Sequence, residues 1–325
     1  MRIQIIGGGS WGLALTRLLA LNQHEVRLWC RPEDDPDSLR RTRESERYLP
    51  GVLLPEAVII DQSVDHDADM VVYAVPSHAM RAVVPQFAFH GGAVRVSVAK
   101  GIENETLLRM SEIIHGLAPT APVVALSGPS HAEEVGRGLP ASVVAAGSDE
   151  GARNLVQEAF FCATFRVYTS PDIVGVELGG SLKNVVAIAA GVCDGLGLGD
   201  NAKSALITRG LAEMARLGVA CGANPLTFAG LSGMGDLITT CTSRHSRNRA
   251  VGEQIASGKT LEDILSQSVM VAEGVRTTQS ARALSRKMGV AMPLTEAVHQ
   301  VLFEGWSPGA AIDSLMARDA KPEWA

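Results

Sequence analysis

Aromatic residues are scarce in this chain. Phe, Trp and Tyr make up 4% of its 325 residues, whereas glycine occurs 33 times and hydrophobic residues make up 46%. Few large rings are available to fill the interior, so helices and strands must pack closely through small and aliphatic side chains. A chain of this length and composition is long enough for two domains, each with a sizeable core.

An excess of basic charge and a long hydrophobic run are also lacking. The formal net charge is −6, which disfavours a nucleic-acid-binding protein, and we expect no nucleic-acid partner. The longest nearly uninterrupted apolar run, around residues 185–193, is too short to span a bilayer. No secretory signal pattern with a cleavage site opens the chain. We therefore expect no stable membrane insertion.

Cysteine is rare, and no two cysteines form a C-x-x-C pair. Scattered thiols in a chain of this length are typical of a reduced, cytoplasmic protein. His131 and Glu134 lie three residues apart, but no further ligand follows at metal spacing, so we predict no metal. The cysteines are Cys30, Cys162, Cys193, Cys221 and Cys241.

A glycine loop follows the first apolar run. Residues 2–6 are typical of a strand and residues 13–22 of a helix, and G-x-G-x-x-G lies between them as Gly7, Gly9 and Gly12. In that context the first glycine permits a tight turn, the second lets the backbone approach a pyrophosphate, and the third lets helix and strand pack closely. The free N–H groups at the helix start favour the phosphates. The motif predicts dinucleotide binding.

The end of the next predicted strand, Val26–Cys30, carries Arg31 where an NAD-preferring site usually has an acidic residue. Arg31 could pair with a 2′-phosphate, so we expect NADP(H) to be preferred, with NAD(H) possible. Alternatively, Arg31 is an ordinary surface charge in a loop.

Further apolar runs predict a mostly parallel sheet of about seven or eight strands up to residue 168. Lys100 lies just beyond one of them, at the end of a sheet where ligands bind; it is either a ligand-binding lysine or an ordinary loop lysine. Strand patterns nearly vanish later. We predict an α/β Rossmann-like N-terminal domain, residues 1–178, followed by an all-α C-terminal domain, residues 179–325.

One lysine interrupts the stretch 179–191, which is otherwise small or apolar at nearly every position. Such a helix is usually buried, and lysine is almost never fully buried unless it is paired or functional. Lys183 is therefore a placed functional amine, or its stem lies along the core and its ammonium reaches solvent.

Three later stretches carry polar residues with more than one interpretation. Ser130 and Glu133 match a capping box, which would explain both structurally. Asp236, on a loop rich in glycine, could orient a lysine or cap a helix. Residues 243–249 form a dense basic cluster, which suits a small phosphate site better than nucleic acid; a solvated helix face is the alternative.

Taken together, these stretches resemble bacterial NAD(P)-dependent sn-glycerol-3-phosphate dehydrogenases. The matches run through most of the chain in family order, and the central and C-terminal ones are long and specific. They are GGGSWG (7–12), RYLPG (47–51), VYAVPS (72–77), AKG (99–101), SGPSHAEE (127–134), FRVYTSPDIVGVELGGSLKN (165–184), LGDNAKSALITRGLAEM (198–214), GLSGMGDLITTC (230–241), SRNR (246–249) and EGV (273–275).

The resemblance implies roles for individual residues. Lys183 matches the catalytic lysine, with Lys100 and Asp236 beside the reacting groups. The positions implied to bind substrate are Lys100, Gly128, Ser130, Lys183, Asp236, Ser246, Arg247 and Asn248. With the glycines of the loop, the positions implied to bind the cofactor are Ser10, Trp11, Arg31, Lys100, Ala132, Arg247, Val271 and Glu273.

The resemblance also implies an activity. It is the reversible reduction of dihydroxyacetone phosphate to sn-glycerol 3-phosphate with NAD(P)H, which supplies glycerol 3-phosphate for phospholipid synthesis, in a cytoplasmic homodimer. The chain departs from the family at Gly8, where alanine is frequent, at Ser45, where asparagine is frequent, and at His131, where a larger apolar residue is common. Two alternatives stay open: a β-hydroxyacid dehydrogenase relative acting on a carboxylate, and a non-catalytic NAD(P)-binding sensor.

Overall fold

An eight-stranded sheet forms the N-terminal half of the computed structural model, which describes residues 1–267, 272–320 and 322–323. The strand order is β3-β2-β1-β4-β5-β6-β7-β8, and neighbouring strands are parallel except for the β6–β7 pair. The strands are β1 Arg2–Ile6, β2 Glu25–Trp29, β3 Ile59–Asp61, β4 Met70–Tyr73, β5 Val94–Ser97, β6 Val123–Ser127, β7 Ala141–Ala146 and β8 Phe165–Ser170.

Helices cover both faces of this sheet, as its continuous apolar strands require. Alternate side chains of β4 pack into two cores: Val72 lies in one, and Val71 and Tyr73 lie in the other. The helices of this half are α1 Ser10–Leu21, α2 Pro36–Thr42, α3 Met80–Val83, α4 Met110–Leu117, α5 Ala132–Gly136 and α6 Glu150–Phe160.

The rest of the described chain is helical, which confirms the predicted fold class. A separate apolar core surrounds α7. The helices are α7 Ile173–Gly195, α8 Gly199–Ala220, α9 Pro225–Phe228, α10 Asp236–Thr242, α11 Arg247–Ala256, α12 Leu261–Gln267, α13 Glu273–Met288, α14 Pro293–Phe303 and α15 Pro308–Met316.

Helix α7 is the centre of the second half and is longer than the apolar run seen in the sequence. By length and hydropathy its 23 residues could cross a membrane, but 89% of its most apolar window is buried inside the protein. Glycines let its neighbours approach closely. A Cβ on Gly191 would lie 1.9 Å from the carbonyl oxygen of Arg249 in α11. The apolar composition of α7 is thus explained by helix packing.

Candidate active site

Lys183 is buried within α7 and is paired with two side chains of α10. Its Nζ donates to Oδ1 of Asp236 at 2.9 Å and to Oγ1 of Thr240 at 2.5 Å. The side chains of Lys183 and Asp236 are only 7% and 3% exposed. The interpretation in which the ammonium reaches solvent is therefore wrong. The ammonium is buried, and its hydrogen-bond partners offset the free-energy cost of removing it from water.

A second lysine reaches the same carboxylate from the sheet. Lys100, just after β5, donates to Oδ2 of Asp236 at 2.7 Å and to the carbonyl oxygen of Gly128 at 3.0 Å. Gly128 follows β6, so the carboxyl ends of two neighbouring strands meet the helical half at Asp236. The three side chains form a cluster of two ammonium groups around one carboxylate.

Burial and charge set the protonation of this cluster. Burial lowers the pKa of Lys183 to about 8, with Lys100 acting in the same direction and Asp236 opposing it. Burial alone raises the pKa of Asp236, but the charges of Lys100 and Lys183 outweigh it and hold that pKa below its usual value. At neutral pH the arrangement is a buried carboxylate with an ammonium that can give up its proton within the working range of an enzyme.

One close approach and one π-helical turn bring α7 and Asp236 into position. A Cβ on Gly180 would lie 2.5 Å from Oγ of Ser127, so the glycine lets α7 approach the end of β6 without displacing that side chain. A single π-helical turn, Leu231–Gly235, precedes α10 and leads directly into Asp236. Thr240 lies one turn later on the same helix face. Its role as a partner of Lys183 was missed in the sequence, although the i, i+4 spacing from Asp236 was a usable signal.

The start of α11 holds the central residues of the basic cluster. Ser246 caps the helix, with its Oγ accepting from the N–H of Arg249 at 3.2 Å. Arg247 is the first helical residue and is exposed. Arg249 instead forms ion pairs with Asp194 and Glu253. The cluster is therefore partly structural, and Ser246 and Arg247 lie at a helix N-terminus, where phosphates are favoured.

Asn248 is buried in a chain of hydrogen bonds between three helices. Its Nδ2 donates to Oδ1 of Asn184 at 2.9 Å, and its Oδ1 accepts from the N–H of Gly274 at 2.9 Å. Asn184 is the next residue after Lys183. Asn248 thus ties α11 to the lysine helix and to the start of α13.

The glycine loop has the shape that a dinucleotide requires. Gly7 adopts φ +121°, and a Cβ on Gly12 would lie 2.0 Å from the carbonyl oxygen of Gly7. A Cβ on Gly9 would meet no atom within 4 Å, and no side chain caps the start of α1. The open space beside Gly9, at the start of α1, fits a pyrophosphate, which helix N-termini favour. Ser10 and Trp11 begin α1, with Oγ of Ser10 donating to the carbonyl oxygen of Tyr48 at 2.6 Å.

Arg31 lies just beyond β2, with its side chain 59% exposed. Its Nε and Nη2 donate to the two oxygens of Asp34 at 3.1 and 2.8 Å, and Tyr48 Oη also donates to Asp34 at 2.9 Å. The guanidinium is therefore held at the end of β2 by an acidic side chain. If a cofactor 2′-phosphate bound here, it and the Asp34 carboxylate would both contact the Arg31 guanidinium.

Glu273 joins the helical half to the sheet just beyond β4. Its Oε1 accepts from the N–H of Ser77 at 2.9 Å, and its Oε2 accepts from Oγ of Ser77 at 2.5 Å. Ser77 follows β4 and was not singled out from the sequence. Val271 lies outside the described residues.

The loop after β6 corrects one sequence-based interpretation. Ser130 does not cap α5. Its Oγ donates to the carbonyl oxygen of Gly128 at 3.0 Å, and His131 is the residue before the first helical residue, Ala132. The capping-box interpretation is therefore wrong. Ser130 instead bonds the same carbonyl oxygen of Gly128 that accepts a hydrogen bond from Lys100. Among the described residues, no group of three or more His, Cys, Asp and Glu side chains could hold a metal ion.

The chain combines a Rossmann-like sheet and an open glycine loop with a helical half. The helical half places a buried lysine at the carboxyl ends of the strands. Together these features define a two-domain dehydrogenase of the nicotinamide-dinucleotide class. Comparison with known proteins specifies the class further. The family model for the NAD-dependent glycerol-3-phosphate dehydrogenase N-terminus matches residues 2–153. The family model for the corresponding C-terminus matches residues 172–313. The chain belongs to the NAD-dependent glycerol-3-phosphate dehydrogenase family.

Individual relatives match over nearly the whole chain. A glycerol-3-phosphate dehydrogenase, NAD(P)+, of Pelotomaculum thermopropionicum is 52% identical, and the match covers 98% of this chain and 93% of the relative. One from Salinibacter ruber is 49% identical over 99% and 96% of the two chains. The solved structure of the Coxiella burnetii glycerol-3-phosphate dehydrogenase has a TM-score of 0.94 at 36% identity, over 98% of this chain and 99% of that one.

Proposed function

We propose that this chain reversibly reduces dihydroxyacetone phosphate to sn-glycerol 3-phosphate with NAD(P)H. The observation that carries the proposal is the buried Lys183–Asp236 pair, 2.9 Å apart, in a chain whose relatives are named for this activity.

Lys183 is the proposed proton donor. When bound, the reduced nicotinamide supplies the hydride that the ketone carbon accepts. Negative charge then develops on the ketone oxygen, where the Lys183 ammonium stabilises it and gives up a proton. In the reverse direction the neutral amine takes the proton from the alcohol. A pKa near 8 suits both directions, because each protonation state is accessible close to neutral pH.

Asp236 and Lys100 prepare that proton transfer. Asp236 fixes the position of the Lys183 ammonium and favours its charged form, while Lys100 adds a positive charge on the far side of the carboxylate. Because Lys100 also bonds Gly128, we propose that it orients the substrate against the strand ends. Gly128 and Ser130 would line the same side of the substrate.

The phosphate is proposed to bind at the start of α11. Ser246, Arg247 and Asn248 lie there, and helix N–H groups and a guanidinium both favour a phosphate dianion. Binding energy at this end would hold the ketone carbon in place at the other end of the substrate.

For the cofactor, we propose that the glycine loop, Ser10 and Trp11 hold the pyrophosphate region, while Ala132 and Glu273 lie towards the nicotinamide side. Arg31 supports a preference for NADP(H) over NAD(H) through a 2′-phosphate contact. Lys100, Arg247 and Val271 complete the set implied by the resemblance. No metal is required for this chemistry.

The cellular role that follows is supply of glycerol 3-phosphate for phospholipid synthesis by a cytoplasmic homodimer that binds no nucleic acid and is not inserted in a membrane. The oligomeric state can be checked by light scattering on the purified protein: a mass near twice 34.3 kDa is expected, and a monomer at micromolar concentration would contradict the dimer.

The activity is tested by initial-rate oxidation of NADPH and NADH with dihydroxyacetone phosphate, against controls without enzyme and with unphosphorylated dihydroxyacetone. We expect phosphate-dependent turnover that favours NADPH. Turnover with NADH preferred would retain the activity and contradict the Arg31 proposal. Folded protein that binds NADPH but turns over neither mixture would contradict the activity and favour a carboxylate substrate or a sensor.

A further inference from the structure

An imidazole nitrogen beside the lysine–aspartate cluster has no hydrogen-bond partner within the described residues. His131 lies between β6 and α5, and its Nε2 is shielded from solvent without a donor or acceptor in reach. A buried polar atom left unpaired costs free energy, so such an atom in a folded protein calls for an explanation. A ligand that is bound only during function is one such explanation.

The ring lies where the two ends of the proposed substrate would be held. It is half-buried, and it packs at 5.9 Å between ring centroids against His245, which directly precedes Ser246 and Arg247. It is also close enough to Lys183 for the positive charge of the lysine to lower the pKa of the imidazole. His131 therefore lies near both the proposed proton donor and the residues of the proposed phosphate site.

Burial, assisted by two neighbouring ammonium groups, favours the neutral form of this imidazole. Burial lowers the pKa of His131 below its ordinary value, and the positive charges of Lys183 and Lys100 act in the same direction. Glu133 and Asp236 oppose them without reversing the shift. A neutral imidazole has one nitrogen that donates and one that accepts, so it can bond a substrate oxygen without adding a third cation to the cluster.

We infer that His131 is a further substrate-contacting residue, whose imidazole hydrogen-bonds an oxygen of the bound phosphorylated ketone. The inference rests on the proposed function and extends it to a residue outside the set that the resemblance implies. In this account the free protein is less stable because Nε2 is unpaired, and Nε2 gains a hydrogen bond when substrate is bound. His131 takes no part in the proton transfer itself.

The test compares His131→Phe with His131→Gln. Phenylalanine fills the same space without a polar atom, whereas glutamine keeps one donor and one acceptor. We expect His131→Phe to raise KM for dihydroxyacetone phosphate about tenfold, as loss of one hydrogen bond of about 1.4 kcal/mol would do. We expect kcat to fall by much less, and the Kd for NADPH to stay within twofold, on the order of measurement error.

Thermal unfolding separates a binding role from a packing role. His131→Phe removes an unpaired buried nitrogen, so its Tm should be equal to that of the wild type or up to about 2 °C higher. His131→Gln should recover most of the loss in KM. The matched control is His115→Phe on an exposed position of α4, which should leave KM unchanged.

An unchanged KM in the Phe variant, in an enzyme that does turn over dihydroxyacetone phosphate, would overturn the His131 inference alone. Equal loss in the Phe and Gln variants together with a lowered Tm would also overturn it, because that pattern belongs to a packing residue. Wild-type protein that binds NADPH without turning over this substrate would overturn the inference and the proposed function together.

Discussion

Lys183 and Asp236 form an ion pair, 2.9 Å from Nζ to Oδ1, in which both side chains are almost completely buried. Each charge is desolvated, so each needs a partner. Asp236 would keep Lys100 if Lys183 were lost, whereas loss of Asp236 would leave the buried Lys183 ammonium without its counter-charge. The pair also crosses from the central helix α7 to α10, and Lys100 extends it to the sheet. The same contact therefore joins the elements of the site and sets the protonation of the lysine.

Asp236→Asn should move the pH dependence of reduction to lower pH. Reduction requires the Lys183 ammonium, so its rate should fall as pH rises through the pKa of about 8. Asp236 raises that pKa, and without its negative charge burial and Lys100 lower it further. The measurement is kcat for dihydroxyacetone phosphate reduction from about pH 6 to 9.5. Asp313→Asn, an exposed change on α15, is the control; a profile that does not move, or moves upwards, would contradict the role of Asp236.

Arg247→Ala should weaken substrate binding more than turnover. A guanidinium at a helix N-terminus contributes charge-assisted hydrogen bonds to a phosphate, each worth about 1.5–3 kcal/mol. KM for dihydroxyacetone phosphate should therefore rise roughly ten- to a hundredfold. Arg286→Ala on α13, whose side chain is 63% exposed, should leave KM unchanged. If KM stayed the same in both variants, the phosphate would have to bind elsewhere.

Arg31→Ala should reduce the preference for NADPH. The side chain offers a guanidinium at the end of β2, already shared with Asp34. If it contacts a 2′-phosphate, kcat/KM for NADPH should fall about tenfold or more, and the value for NADH should hardly change. Arg41→Ala, in the last turn of α2, serves as a nearby control. An equal loss with both cofactors would count against the 2′-phosphate contact.

Gly191→Ala should destabilise the helical half. The new Cβ would lie 1.9 Å from the carbonyl oxygen of Arg249, a backbone atom, so α7 and α11 would have to separate. We expect a loss of about 3 kcal/mol in the free energy of unfolding, measured by urea denaturation. Gly116→Ala in α4, where a Cβ would meet no atom within 4 Å, should be neutral or stabilising by about 0.5–1 kcal/mol. Similar stability in both variants would contradict this packing.

Much of the fold follows from local patterns. Strand–glycine loop–helix order predicts the start of the sheet, and continuous apolar runs predict strands covered on both faces, as Val71, Val72 and Tyr73 are. The ends of the elements do not follow in the same way: the predicted strand Val26–Cys30 is Glu25–Trp29 in the structure. Hydrogen bonds across the sheet set such ends, and a single sequence does not show them.

The sequence predicts a residue of the candidate site where burial of that residue type has a high free-energy cost. A lysine in an apolar helix requires a partner, which made Lys183 conspicuous before its contacts were known. Contacts between distant segments were not predictable in the same way. Ser77 with Glu273, and Asn184 with Asn248, are ordinary polar residues in sequence, and only folding brings them together. The unpaired nitrogen of His131 likewise depends on tertiary packing.

The central claim is that Lys183 supplies the proton. The most direct measurement is the rate of single-turnover reduction of dihydroxyacetone phosphate by Lys183→Met. The Kd for NADPH is measured on the same preparation. The control is Lys287→Met, which replaces an exposed lysine in the last turn of α13. The account predicts a fall in rate of about a thousandfold or more, nearly unchanged NADPH binding, and normal activity in the control. Turnover by folded Lys183→Met within about tenfold of the wild type would contradict the claim.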